Sequence, residues 1–324
     1  MVSLLGDVYL TTHNKNTFIY TNLKPAVMYD WFSAGILPYA ISYMLAFLVL
    51  LIGSFTDLKT REVPDWVNYG LVIAGIALNL LFSVIYSSWS FIINSVAGLA
   101  VFFCIAYVMF YTGQWGGGDS KMLMGLGVII GIDIFSLKSE FLTGFFINIL
   151  LAGAAYGLLW SVYLALKNRK KFAREFRKFL SAKKTARAKY YLLALVAILT
   201  VASFFADDSG IRIMLLSLAF VSLLSFYMWI FVKAIENSSM YRLVEPFKLT
   251  EGDWIVKDIH VNKEYICGPK DLGIEKKQIR KLIELYKRKK VGKILIKEGI
   301  PFVPSFLIAF IITFMIGNPI SWLL

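Results

Sequence analysis

Two acidic residues stand at the edges of long apolar runs, where an ionisable group is costly and usually functional. Asp57 closes the first run in Gly53-Ser54-Phe55-Thr56-Asp57-Leu58-Lys59, and Asp119 opens the fourth in Gly116-Gly117-Gly118-Asp119-Ser120-Lys121. Two carboxylates that approach each other in a poorly solvated site do not both ionise readily, so such a pair holds a single proton. The ionised member can take a proton from water while the protonated member polarises a carbonyl. That is the chemistry of amide hydrolysis by an aspartic dyad, and it needs no metal, thiol or hydroxyl nucleophile. The pair titrates as a unit, so neither residue is assigned the role of base.

Each motif also has a plainer reading on its own. Asp119 could be the N-terminal cap of a helix behind a tight Gly-rich loop. Asp57, followed by Lys59 and Arg61, could sit in an ordinary ion-paired loop, with Pro64 and Asp65 supplying the turn and cap of the next helix. In the catalytic reading, Gly113, Gly116, Gly117 and Gly118 leave the backbone nearly bare. That would allow positive φ and the close approach of an extended substrate strand.

The elements that must position these acids are membrane helices. The 324 residues are 58% hydrophobic and only 17% charged, against roughly 25% charged for a soluble domain. Several apolar runs exceed the roughly 18 residues that cross a bilayer as a helix. Eight candidate spans run about 36–56, 66–86, 90–111, 121–136, 141–166, 190–206, 211–235 and 301–323; the fourth and sixth are short. The fold class is therefore an all-α polytopic membrane protein with about eight transmembrane helices and a small α+β cytoplasmic domain before the last one. The expected divisions are an outer N-terminal segment (1–35), a catalytic core (36–166), a basic loop (167–189), a further helix pair (190–235), the α+β domain (236–300) and a final helix (301–324). In the α+β domain, 254–256, 264–267 and 293–297 read as strands and 274–289 as a helix.

Charge sets the expected orientation. Placing 57–65, 112–120, 167–189 and 236–300 on one side, with the adjoining Lys121 and Lys233, leaves only Lys15, Lys24, Lys138 and Arg212 of the 34 Lys and Arg on the other. Basic loops stay cytoplasmic, which puts both termini outside. Two spans separate Asp57 from Asp119, so both carboxylates return to the cytoplasmic face. The net charge of +13 is then a topology signal, and the partners it implies are membrane lipids rather than nucleic acid. The segment 167–189, with eleven basic residues and one acid, Glu175, would also meet anionic headgroups. Cys104 and Cys267 lack disulfide or zinc spacing, and His13 and His260 are too far apart to suggest a metal. With no cleavable signal evident, the first span is expected to direct its own insertion.

Read together, Asp57-Leu58-Lys59-Thr60-Arg61-Glu62-Val63-Pro64-Asp65 and Gly116-Gly117-Gly118-Asp119-Ser120-Lys121 resemble the type IV prepilin peptidase and archaeal preflagellin peptidase family, membrane aspartic proteases with a GxGD motif. The resemblance is strongest over 45–131. It implies that Asp57 and Asp119 are catalytic, with Gly116, Gly117, Gly118, Lys121, Lys59, Arg61, Glu62, Pro64 and Asp65 in support and no cofactor. It also implies substrates that are precursor pilins or flagellins, with a short basic leader ahead of an apolar helix. The 249–254 and 298–304 stretches look like the C-terminal part of some archaeal members, so Pro301 and Pro304 should pack near the catalytic core. Bacterial members carry a cysteine tetrad and methylate the new N-terminus; its lack here implies peptidase activity without methylation. Tyr29-Asp30 precedes the first span and no Pro-Ala-Leu occurs, so the presenilin-like pattern is not matched.

Glu62 and Asp65 are candidates to hold the basic leader; capping by Asp65 and a bridge from Glu62 to Lys59 or Arg61 is the structural alternative. Two other functions compete with proteolysis. One is a catalytically silent scaffold of the same fold. The other is a small transporter, for which Asp133 is the only deep acid.

Overall fold

The computed structural model describes residues 37–133, 140–261 and 264–319. The expected N-terminal segment, Lys138 and the last five residues lie outside the described residues. Nine of the ten α-helices and all five strands follow from α1 (Leu37–Thr60), α2 (Asp65–Ile85), α3 (Ser90–Tyr111), α4 (Gly117–Ile130) and α5 (Glu140–Lys167) onward, through α6 (Arg169–Ser181), α7 (Lys183–Phe204) and α8 (Ser209–Ile235), to β1 (Tyr241–Val244), β2 (Trp254–Ile255), β3 (Ile259–Val261), β4 (Glu264–Cys267), α9 (Lys276–Lys287) and β5 (Ile294–Lys297); α10 (Val303–Ile316) closes the series among the described residues.

Each of the eight apolar runs forms a helix. Six are long and apolar enough to cross a membrane among the described residues, which makes this a polytopic membrane protein. The other two, α4 and α10, have 14 residues each, a rise of about 21 Å. Glycines end both: Gly131 and Gly317 adopt φ of 72° and 80°, a left-handed exit that side chains resist. Large apolar side chains such as Leu81, Ile85, Tyr190 and Phe204 remain exposed, as expected of surfaces that meet lipid tails.

Small residues let α4 sit inside the bundle. A methyl group on Gly98 of α3 would collide with the Gly127 carbonyl oxygen of α4, and one on Gly127 would lie 2.5 Å from the Gly98 oxygen. The two helices therefore touch backbone to backbone. Polar side chains bind the same helices: Ser95 Oγ donates to the Val128 carbonyl at 2.8 Å, and Asn79 Nδ2 donates to that carbonyl at 3.3 Å. Elsewhere Asn148 of α5 donates to Thr313 Oγ1 of α10 at 2.9 Å. The core of the bundle comprises Leu50, Leu71, Phe102, Met122, Leu126, Phe145, Ile149, Phe306 and their neighbours, all buried.

The basic stretch after α5 differs from its expectation as a loop: α6 is helical, and α7 begins at Lys183. The cause is an apolar stripe within the charges. Phe172, Phe176, Phe179 and Leu180 recur at helical spacing, and the Phe172 ring meets Phe231 of α8 edge-on at 5.5 Å.

After α8 a π-helical turn, Glu236–Met240, leads into β1. The buried Glu236 carboxylate receives Lys233 at 2.8 Å and Lys297 of β5 at 2.6 Å, tying the helix end to the sheet. The sheet has the antiparallel order β1-β5-β2, with Tyr241 opposite Lys297 and Trp254 also opposite Lys297. A separate β3–β4 hairpin and α9 complete a second core of Val244, Ile255, Ile266, Cys267, Ile274, Leu282, Ile294 and Ile296. The strands β1 and β3 went unread in the sequence because each is short and its apolar alternation covers too few residues to register.

Candidate functional site

Asp57 lies near the end of α1 and is only 5% exposed. The helix stops at Arg61, whose N–H still donates to the Asp57 carbonyl at 2.9 Å while its own φ is 63°. A left-handed arginine is uncommon and mildly strained. The turn sends the Arg61 guanidinium across to the Gly299 carbonyl at 2.9 Å and over the Trp160 ring at 5.3 Å. Pro64 then caps α2, where its fixed φ suits a helix entry and no N–H is required.

Asp119 is the third residue of α4, and its Oδ2 accepts from the N–H of Gly116, the N-cap, at 3.1 Å. Asp57 Oδ2 accepts from the N–H of Val303, the first residue of α10, at 2.9 Å. Both carboxylates therefore sit at helix N-termini. There, orphan amides and the helix dipole offset part of the cost of burying negative charge. The two groups lie within electrostatic reach of each other.

The glycine expectation needs a correction. Gly117 and Gly118 are the first residues of α4, and Gly116 has φ of −72°; only Gly113 of the four has positive φ, at 69°. The helix claims the triplet because Asp119 caps it. The Gly113 turn instead packs against the sheet-containing domain, since a methyl group there would lie 3.1 Å from the Trp254 ring. The plainer and the catalytic readings of Asp119 are thus compatible in one geometry.

The supporting residues are placed unevenly. Lys121 pairs with Asp65 at 2.6 Å, so Asp65 bridges to α4 rather than capping α2 through its side chain. Glu62 is exposed and makes neither of the expected bridges; Arg61 is engaged with Gly299 and Trp160, and Lys59 lies over the exposed Phe55 ring at 5.9 Å. Lys59 therefore faces away from the acids. Pro301 and Pro304 flank the Phe302-Val303 turn that meets Asp57, with Phe302 packed on Trp115 at 6.0 Å and on Gly153 of α5.

Sequence reasoning missed four contributors: the Val303 amide, Trp115, Tyr156 and Trp160. A backbone amide carries no side-chain signal, and aromatic residues in apolar helices look like ordinary core. Among the described residues no group of three or more His, Cys, Asp or Glu is arranged as a metal site.

The fold and the site together define a polytopic membrane protein with two acids held at neighbouring helix termini. Within it, residues 44–160 match the type IV leader peptidase family. The chain is 32% identical over 136 residues to a preflagellin peptidase of Methanococcus voltae, covering 40% of this chain and 58% of that one. It is 37% identical over 90 residues to the preflagellin peptidase of Methanococcus maripaludis, covering 28% of this chain and 39% of the relative. A third, from Methanocaldococcus jannaschii, is 40% identical over 90 residues, covering 28% and 38%. The chain thus spans between about two fifths and three fifths of these relatives. No solved structure matches. The family match is confined to the helical core that carries Asp57 and Asp119.

Proposed function

We propose that the protein is a membrane aspartic endopeptidase that removes short basic leaders from archaeal prepilins or preflagellins, with Asp57 and Asp119 as the catalytic pair. The observation that carries this reading is the convergence of the two carboxylates from α1 and α4, at helix N-termini and within electrostatic reach. The named activity of the matched relatives supports the substrate class.

In this mechanism the pair shares one proton. The ionised carboxylate takes a proton from water as the water attacks the scissile carbonyl, and the protonated partner donates a hydrogen bond to the developing oxyanion. Collapse of the tetrahedral intermediate breaks the C–N bond, and the leaving amine collects the proton. No cofactor enters the cycle, and the new N-terminus is left unmethylated. The charge bias of the loops supports a site at the cytoplasmic face, where a basic leader stays while its apolar helix inserts. Glu62 is the more available acid for the leader, because Asp65 is paired with Lys121.

The test is cleavage by the purified chain of pilin-like and flagellin-like precursors side by side, read by mass spectrometry with and without EDTA and S-adenosylmethionine. Cleavage after the leader, indifferent to both additions, is expected. Intact precursors in the presence of folded protein would overturn the protease reading and favour the silent scaffold.

A further inference from the structure

Beside Asp57, α5 presents two buried polar atoms that no described residue satisfies. The Tyr156 hydroxyl and the Trp160 Nε1–H are shielded from solvent and lack hydrogen-bond partners among the described residues. Buried donors are almost always paired in folded proteins, so each exception asks for an absent partner. Leaving one unmade costs more than a typical bond returns.

Their placement says where the partner comes from. Tyr156 lies within electrostatic reach of Asp57 and of Arg61. Trp160, four residues on, carries the Arg61 guanidinium over its ring at 5.3 Å. The two rings stack at 5.8 Å. Tyr156 and Trp160 lie about one helical turn apart on α5, facing Asp57 near the end of α1 and Arg61 in the left-handed turn that follows it. The wall so formed holds two unpaired N–H or O–H donors beside a carboxylate. Gly153, one turn earlier, leaves room for the Phe302 ring that accompanies the Val303 amide. An extended peptide offers the complementary groups, a row of main-chain carbonyl oxygens with no side-chain requirement.

We infer that Tyr156 and Trp160 are substrate-binding residues, whose O–H and Nε1–H donate to main-chain carbonyls of the peptide segment lying against Asp57. The inference rests on the protease reading above and extends it to a wall of the site formed by α5. Bonds of this kind go to the backbone, which every peptide substrate shares.

The experiment measures binding of a synthetic peptide, a basic leader followed by an apolar segment, to the Asp57→Asn chain in detergent micelles. Adding Tyr156→Phe or Trp160→Phe should each weaken binding by roughly 5-fold or more, the worth of one hydrogen bond. Tyr163→Phe, one turn on at a half-exposed position, should leave it unchanged. In the chain with Asp57 intact, Tyr156→Phe should raise KM with kcat within about twofold, the signature of a ground-state contact. Its melting temperature should not fall, because only an unsatisfied hydroxyl is removed. Unchanged affinity in Tyr156→Phe, or a lower melting temperature with unchanged KM, would overturn the inference. Peptide that binds but is never cleaved by the unmutated chain would overturn the protease reading alone, and peptide that does not bind would overturn both.

Discussion

The Val303 amide donates to Asp57 Oδ2 at 2.9 Å across 246 positions of sequence. That single bond joins α1, inside the family-matched segment, to α10, which lies beyond it. It makes the C-terminal helix part of the site. The sheet-containing domain sits between the two in sequence and touches the same region through Trp254 at Gly113 and Gly299 at Arg61.

The start of α10 is positioned by Phe302, whose ring fills the space left by Gly153; a methyl group there would lie 2.6 Å from it. Gly153→Leu should therefore push Phe302 and Val303 away from Asp57. Overpacking of this kind costs about 1–3 kcal/mol. A lower melting temperature together with a fall in kcat is expected, whereas Gly157→Leu, with open space around it, should change neither. Thermal melts and precursor cleavage on both variants check this.

The contact of α3 with α4 gives a second expectation. Gly98→Ala must separate the helices, because its methyl group would meet the Gly127 carbonyl oxygen. Since α4 carries Asp119, the displacement should reduce both stability and cleavage. Gly70→Ala, inside α2 where nothing lies within 4 Å of the added methyl group, should leave cleavage unchanged and should not lower stability, because alanine favours a helix over glycine.

Much of this was legible in the sequence. Six long spans, the two acids and the strands β2, β4 and β5 follow from hydropathy, the paired motifs and alternation. The fourth span, read as short, is the 14-residue α4, but the sixth, also read as short, is the 22-residue α7, because its helix starts within the basic stretch at Lys183. The shortness of α10 was missed because apolar residues continue past the left-handed Gly317 that ends it. The Asp57 environment was hidden for a different reason. Its partners, the Val303 amide and the α5 aromatics, meet it only through tertiary packing, and the prolines flanking Val303 were the one local sign.

The ion pair of Lys121 with Asp65 is partly exposed, at 37% and 55% of the two side chains, so it should contribute at most about 1 kcal/mol. Asp65→Asn should leave the melting temperature nearly unchanged. Glu62→Lys should weaken cleavage of a basic-leader peptide more than Asp65→Asn does. Equal losses in a KM comparison would remove Glu62 from the leader site.

In the sheet-containing domain, burial pushes the Cys267 thiol up to about 11, with Asp271 adding to the effect. The neutral thiol is the form the fold favours. Its contribution to stability is full below the unfolded thiol value of about 8.5 and is lost as pH rises from there towards about 11. Native protein at neutral pH should resist alkylation at Cys267, and labelling should appear on denaturation or in strong alkali. Rapid labelling at pH 7.5, followed by peptide mapping, would contradict the buried position.

The most direct measurement is the cleavage rate of a basic-leader precursor by Asp57→Asn and Asp119→Asn, each shown by its melting curve to be folded. Each variant should lose at least about 100-fold in rate, since either change removes one half of the proton-sharing pair. Substantial cleavage by either folded variant, within about tenfold of the unmutated chain, would contradict the assignment of Asp57 and Asp119 as the catalytic dyad.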